Sequence, residues 1–127
     1  MRIAIDTNRY VDFAKGLPDA VDRVRRADEI LVPFVVVGEL RAGFAAGVRS
    51  LQNEAALVRF LDSRRVDLVF ADEETTHHYA RLFYQLRRQG TPIPTNDLWI
   101  AALVVQHQVH LYARDTHFDH LPQIPRV

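Results

Sequence analysis

Four acidic residues, each beside a different predicted element, are the first candidates for chemistry in this sequence of 127 residues. Asp6 directly follows a short apolar stretch, and Asp115 follows another one near the end of the chain. Asp97 comes just after a Pro-Ile-Pro sequence, and Glu39 lies among small and apolar neighbours. Carboxylates that meet repel one another unless a cation joins them, and oxygen ligands select Mg²⁺ or Mn²⁺. Asp119, which comes four residues after Asp115, could reach the same place.

Each acid also has an ordinary structural interpretation when it is taken alone. Asp6 could cap a helix, and Asp97 could interact with a helix dipole. Glu39 could pair with Arg41 or another arginine, although its small and apolar neighbours are untypical of a solvated surface residue. Asp115 could be a turn residue, which is common for aspartate. The chemical interpretation therefore depends on whether the fold brings the four carboxylates together.

The elements that must position these acids alternate between strand and helix patterns. This alternation predicts a single α/β domain over residues 1–127, with a mainly parallel central sheet of four to five strands and helices on both sides. The predicted strands cover residues 2–5, 29–32, 66–70 and 109–113. The predicted helices cover residues 10–15, 18–27, 33–47, 50–61, 72–90 and 95–108. Residues 115–127 are predicted to form a turn, a short helical piece and an extended end.

The segment from Pro33 to Gly47 carries conflicting indications. Its three consecutive valines, residues 35–37, favour a strand by propensity. Proline at the start and the helical spacing of Val36, Leu40 and Phe44 favour a helix instead. We predict a helix.

Capping residues delimit the helices that surround Asp97. Asp72 is a plausible N-cap for a long helix that ends at Gly90. The prolines that follow require an extended segment, and Thr95 or Asn96 then caps the next helix.

The predicted topology gives the acids a common location. Ligands of open parallel sheets bind beyond the carboxyl ends of the strands. Asp6 and Asp115 each follow a strand, and the first turn of a helix, which contains Asp97, faces the same edge. We therefore expect these acids to meet at the carboxyl edge of the sheet.

Composition excludes several other kinds of site. The sequence contains no cysteine, which excludes disulfides, thiolate zinc sites and cysteine nucleophiles and fits a cytoplasmic protein. No signal peptide is recognisable at the N-terminus, and no apolar run approaches the ~20 residues of a membrane span. The net charge is zero, with 16 basic and 16 acidic residues, which argues mildly against a nucleic-acid binder.

The sequence does not decide the roles of the arginines and histidines. All of the basic residues except Lys15 are arginines, which suit phosphate recognition, and a GC-rich genome is the alternative explanation for this composition. Arg9 could contact a phosphate or pair with an acid. His117 and His120 have a spacing that could bind metal, but without cysteine and beside hard acids we interpret them as ordinary histidines.

Four short motifs together resemble PIN-domain nucleases, and most closely the VapC toxins of bacterial type II toxin–antitoxin pairs. They are IDTN at residues 5–8, GEL at 38–40, NDLWIAA at 96–102 and RDTHFD at 114–119. Each motif is weak alone, but the order and spacing of all four are specific, and the resemblance spans residues 2–122.

The resemblance implies a metal-dependent endoribonuclease with Mg²⁺ or Mn²⁺ as its cofactor. It implies that the catalytic and metal-binding acids are Asp6, Glu39, Asp97 and Asp115, with Asp119 as an auxiliary metal ligand. It also implies that Thr7, Asn96 and Thr116 orient the carboxylates. The partners that it implies are an RNA substrate, a small cognate antitoxin and a second copy of the chain, in the cytoplasm and away from membranes.

Three alternatives stay open. One is a PIN-domain nuclease with an RNA-processing role outside toxin–antitoxin pairs. Another is a module that binds nucleic acid without cutting it, and the third is a metal-dependent phosphatase acting on small molecules.

Overall fold

A computed structural model describes all 127 residues. The strands are β1 (Arg2–Ile5), β2 (Glu29–Pro33), β3 (Val66–Val69) and β4 (His110–Tyr112). The α-helices are α1 (Thr7–Ala14), α2 (Pro18–Arg26), α3 (Phe34–Ala46), α4 (Ser50–Leu61), α5 (Glu73–Gln89) and α6 (Thr95–His107). A 3₁₀ helix (Thr116–His120) follows β4. Every predicted strand and helix is present. None of the helices combines the length and the apolar character that a bilayer span requires.

The four strands form one parallel sheet in the order β3-β2-β1-β4, which confirms the predicted fold class. The first two connections move outward from β1, whereas the third returns across the sheet and places β4 on the other side of β1. The strand order therefore reverses between β1 and β4, and this is the place where open parallel sheets bind ligands.

The helices pack in two groups. Helices α1 to α4 contact one another in pairs, and α5 packs along α6. The right-handed crossovers that parallel strands require put these groups on opposite faces of the sheet. Strand β1 is consequently covered on both faces, and Ile3, Ala4 and Ile5 are all buried.

Helix α6 is the most buried helix and carries one of the candidate acids. Six apolar residues from Leu98 to Val104 are buried, and Asp97 is buried with them. A helix that is apolar around most of its circumference belongs in the interior of a domain. Burial of α6 therefore fixes its first turn, and with it Asp97, against the carboxyl edge of the sheet.

Apart from the start of α1, the observed boundaries lie within one residue of those predicted. Helix α1 begins at Thr7 rather than Tyr10, because Asp6 is its N-cap and accepts a hydrogen bond from the Thr7 backbone N–H. The N-cap of α6 is Pro94, so the prediction of Thr95 or Asn96 is wrong. Strand β4 is shorter than predicted.

The predictions for α3 and α5 are confirmed. The valine-rich α3 is a helix, and its Val36 and Val37 are buried. Asp72 and Thr75 form a reciprocal capping box at the start of α5, and Gly90 ends that helix with a positive φ of 72°.

Candidate functional site

Asp6 lies at the point where β1 meets β4. Its backbone N–H donates a hydrogen bond of 3.1 Å to the carbonyl oxygen of Tyr112, the last residue of β4. Its side chain accepts from the Thr7 N–H at 2.7 Å, and the residue is only 5% exposed. The pKa of Asp6 is raised to about 6, mainly by burial and also by the charges of Asp97, Glu39 and Asp115, whereas the Thr7 hydrogen bond lowers it. Asp6 is therefore held in a position that disfavours its own charge.

Glu39 is connected to Asp6 through Thr7. The Thr7 hydroxyl donates a hydrogen bond of 2.9 Å to Oε1 of Glu39, so one residue contacts both carboxylates. Glu39 itself is exposed, and the expectation that it is not a solvated residue is wrong. Its neighbours Val36, Val37 and Leu40 are buried on the inner side of α3, whereas Glu39 points outward from the same helix. Arg41, which the sequence offered as a partner for Glu39, pairs with Glu54 instead.

Asp97 and Asp115 meet on the opposite side of the site, with His117 between them. The ring Nδ1 of His117 lies 2.8 Å from Oδ2 of Asp97 and 2.9 Å from Oδ1 of Asp115. The backbone N–H of His117 also donates to Asp115, at 2.9 Å. Burial raises the pKa of Asp97, and the hydrogen bond from His117 opposes this effect. The hydrogen bond to Asp97 is the largest cause that raises the pKa of His117.

His117 is the residue at the site that sequence reasoning missed. Ligand atoms of Asp97, Asp115 and His117 all lie within 4.8 Å of one another, which is close enough for one metal ion. The available indication was its position two residues after Asp115, where the 3₁₀ turn brings the ring back over that carboxylate. Its imidazole could not be placed from spacing alone, because the direction of a side chain in a short turn depends on the surrounding packing.

The structure brings the four predicted acids together at the carboxyl edge. Asp6 experiences the charges of the other three, and Asp97 experiences those of Asp115 and Glu39. Four carboxylates at one edge, two of them on buried aspartates whose charge is disfavoured, fit a divalent cation with oxygen ligands. A cation would relieve both the burial cost and the mutual repulsion.

Three other predicted site residues lie outside this cluster. Asp119 is exposed and accepts a hydrogen bond of 2.9 Å from Nη1 of Arg126, so the structure does not bring it to the four acids. Asn96 is exposed and shares a shallow pocket with Glu39. Asp115 receives its hydrogen bond from the backbone of His117, whereas Thr116 is exposed beside it.

Arg9 pairs with an acid outside the four carboxylates. Its guanidinium lies 3.4 Å from Asp12, an aspartate that is 7% exposed and also contacts Arg114 at 3.2 Å. The same guanidinium lies 4.9 Å from the centre of the Tyr112 ring. Through Arg114, Asp12 connects α1 to the residues that follow β4.

Comparisons with known proteins agree with the fold and the motifs. A family model described as PIN domain matches residues 3–124. The chain is 28% identical over 123 residues to Ribonuclease VapC1 of Haemophilus influenzae, covering 88% of this chain and 90% of that protein. A solved structure of VapBC-1 from nontypeable H. influenzae superposes with a TM-score of 0.87 at 25% identity, covering all of this chain and 97% of that one. VapBC-5 from Mycobacterium tuberculosis, described as a member of a family of toxin–antitoxin systems, gives a TM-score of 0.76 at 26% identity, covering 99% and 98%.

The raised pKa of Asp6 predicts that neutralising this residue stabilises the protein without metal. The unfolded chain releases the Asp6 proton around 3.8, whereas the folded chain keeps it until about 6. The charge of Asp6 therefore lowers the free energy of unfolding, and this penalty grows from pH 3.8 to about pH 6 and is complete above that. In EDTA, Asp6→Asn should raise the free energy of unfolding by about 1–3 kcal/mol near neutral pH, and the gain should vanish toward pH ~4.

Urea unfolding at several pH values measures this effect. Asparagine can still accept the Thr7 hydrogen bond, so the helix cap is retained. Asp119→Asn is the matched control, because that exposed acid is paired with Arg126 and its neutralisation should give no gain. Loss of stability in Asp6→Asn near neutral pH would show that the fold compensates the Asp6 charge.

Proposed function

This chain belongs to the PIN-domain family, and on that premise we propose that it is a metal-dependent endoribonuclease acting as the toxin of a toxin–antitoxin pair. The observation that carries the proposal is the meeting of Asp6, Glu39, Asp97 and Asp115 at one edge of the sheet. Relatives named as VapC ribonucleases and neighbours named as VapBC complexes support the biological role.

The four carboxylates would hold the ion, which we propose is Mg²⁺ or Mn²⁺. A bound divalent ion supplies Lewis acidity toward a phosphate and lets water serve as the nucleophile in phosphodiester hydrolysis. The protein's own contribution is to fix the ligands. Asp6 is held by the N-terminus of α1 and Asp97 by the first turn of α6, whereas the Thr7 hydroxyl orients Glu39. Carboxylates oriented by hydrogen bonds from neighbouring groups are typical of working metal sites.

The site is accessible from solvent, so a long polymer such as RNA could reach it. Glu39 is exposed and Asp115 is partly exposed, so a phosphodiester can approach without opening of a lid. No cysteine is available as a nucleophile. Hydrolysis of RNA in the middle of a strand therefore agrees with both the accessibility and the chemistry of the site.

The cognate antitoxin is proposed to cover the same site. The pocket beside Glu39 is lined by Phe34, Val35, Gly38, Ala42 and Asn96. Phe34 stacks on Phe70, which is 64% exposed. An amphipathic helix could bury these aromatic rings, and an adjacent arginine could make paired hydrogen bonds with the carboxylates.

The homodimer stays a prediction, for which the exposed Phe83 and Tyr84 on α5 offer an apolar contact surface.

Cleavage of RNA is the direct test of the proposed activity. Wild type should cut an RNA oligonucleotide with Mg²⁺ or Mn²⁺, lose the activity in EDTA, and leave a generic phosphate ester intact. Asp115→Asn should reduce cleavage by at least about 100-fold, because it removes a proposed metal ligand. Asp119→Asn should weaken cleavage only partly, since Asp119 acts only through Arg126, which also donates to the backbone carbonyl of Asp115.

Three results would contradict this account. Cleavage that persists in EDTA excludes the metal-dependent mechanism. Equal and complete loss in both variants would make Asp119 a metal ligand. Retention of RNA without cleavage by wild type would favour a binding module.

Neutralising the carboxylates should also weaken the binding of the antitoxin to this chain. The double variant Asp6→Asn/Asp97→Asn removes two charges that an antitoxin arginine would contact, so its affinity for the antitoxin's C-terminal segment should fall by about tenfold or more. Calorimetric titration against wild type, with Asp119→Asn as the control, measures this change. Unchanged affinity in the double variant would mean that the antitoxin inhibits without contacting the acids.

A further inference from the structure

The ring of His117 borders the gap between two acids, and a cation shared by these acids would have to bind in that gap. One atom, Nδ1, contacts both Asp97 and Asp115, at 2.8 and 2.9 Å. These two acids come from different elements, α6 and the residues after β4, and the His117 ring makes a polar contact with a carboxylate oxygen of each. The ring is therefore directed at the site itself and not merely close to it.

The local backbone holds the imidazole there. Asp115 caps the 3₁₀ helix by accepting a hydrogen bond from the backbone N–H of His117. The acid that contacts the His117 ring therefore also holds the backbone of this turn. The next residue, Phe118, is 1% exposed and anchors this turn in the core. The His117 side chain nevertheless remains 44% exposed, which leaves it accessible to an ion from solvent.

The chemistry of a ring nitrogen differs from that of the other donors. Deprotonated imidazole carries a lone pair at Nδ1, and here that atom already faces the gap between two carboxylates. Mg²⁺ strongly prefers oxygen ligands and water, whereas first-row transition ions accept nitrogen together with oxygen. One nitrogen in an otherwise carboxylate site therefore shifts selectivity away from Mg²⁺.

We propose that His117 is a metal ligand through Nδ1, alongside Asp97 and Asp115, and that it makes this site prefer Mn²⁺ to Mg²⁺. The inference rests on the function proposed above, since it concerns the same ion. It adds a ligand and a selectivity that four carboxylates alone would not give.

Electron paramagnetic resonance of Mn²⁺ bound to the full chain tests the ligand directly. Spin-echo modulation from ¹⁴N should be present in wild type and absent in His117→Asn, which puts an amide in place of Nδ1. The signal of free Mn²⁺, measured during competition with Mg²⁺, gives the preference between the ions. That preference should fall at least about tenfold in His117→Asn.

His120→Asn is the matched control. His120 lies in the same 3₁₀ helix and is exposed, and its backbone carbonyl accepts a hydrogen bond from Gln89. This variant should keep both the nitrogen modulation and the preference for Mn²⁺. The wild-type spectrum decides the question even if His117→Asn fails to fold.

The outcomes separate this inference from the proposed function. Bound Mn²⁺ without nitrogen modulation in wild type, or an unchanged ion preference in His117→Asn, would overturn the role of His117 and leave the carboxylate site intact. Failure of wild type to bind Mn²⁺ at all would overturn both proposals.

Discussion

Burial of an aspartate beside other carboxylates at one edge of a parallel sheet is the constraint on which the rest of this structure depends. Asp6 is 5% exposed and its pKa is raised to about 6, first by burial and then by Asp97, Glu39 and Asp115. Such an arrangement is unfavourable for folding at neutral pH without a cation. It persists because the surrounding core is strong enough to hold each acid in place.

The scaffold fixes the acids through elements that are buried for other reasons. Strand β1 is covered on both faces, and a backbone hydrogen bond from Asp6 to Tyr112 joins it to β4 at the site. Helix α6 is apolar almost throughout, so its first turn carries Asp97 to the same edge. Asp12, paired with Arg9 and Arg114, keeps α1 against the residues that lead to Asp115. The proposed site is therefore confined to the edge, whereas the buried core lies in the layers behind it.

Sequence patterns correctly predicted those features that depend on the position of the backbone. Alternating elements predicted the parallel sheet, and a strand followed at once by an aspartate predicted the location of Asp6. Side-chain direction was not accessible in the same way. Glu39 points outward from a helix whose neighbouring residues are buried, and Asp119 turns toward Arg126, a partner supplied by the last residues of the chain. His117 reaches its carboxylates only through a short turn.

Binding of a divalent ion by the four acids together is the central claim, and the stability of the folded chain is its most direct measure. The free energy of unfolding should rise with Mg²⁺ or Mn²⁺ at constant ionic strength, by ~2.7 kcal/mol at about 100 times the dissociation constant. The double variant Asp6→Asn/Asp97→Asn should lose most of this rise. A thermal midpoint that is indifferent to both ions across millimolar concentrations would contradict the account, because the acids would then share no ion.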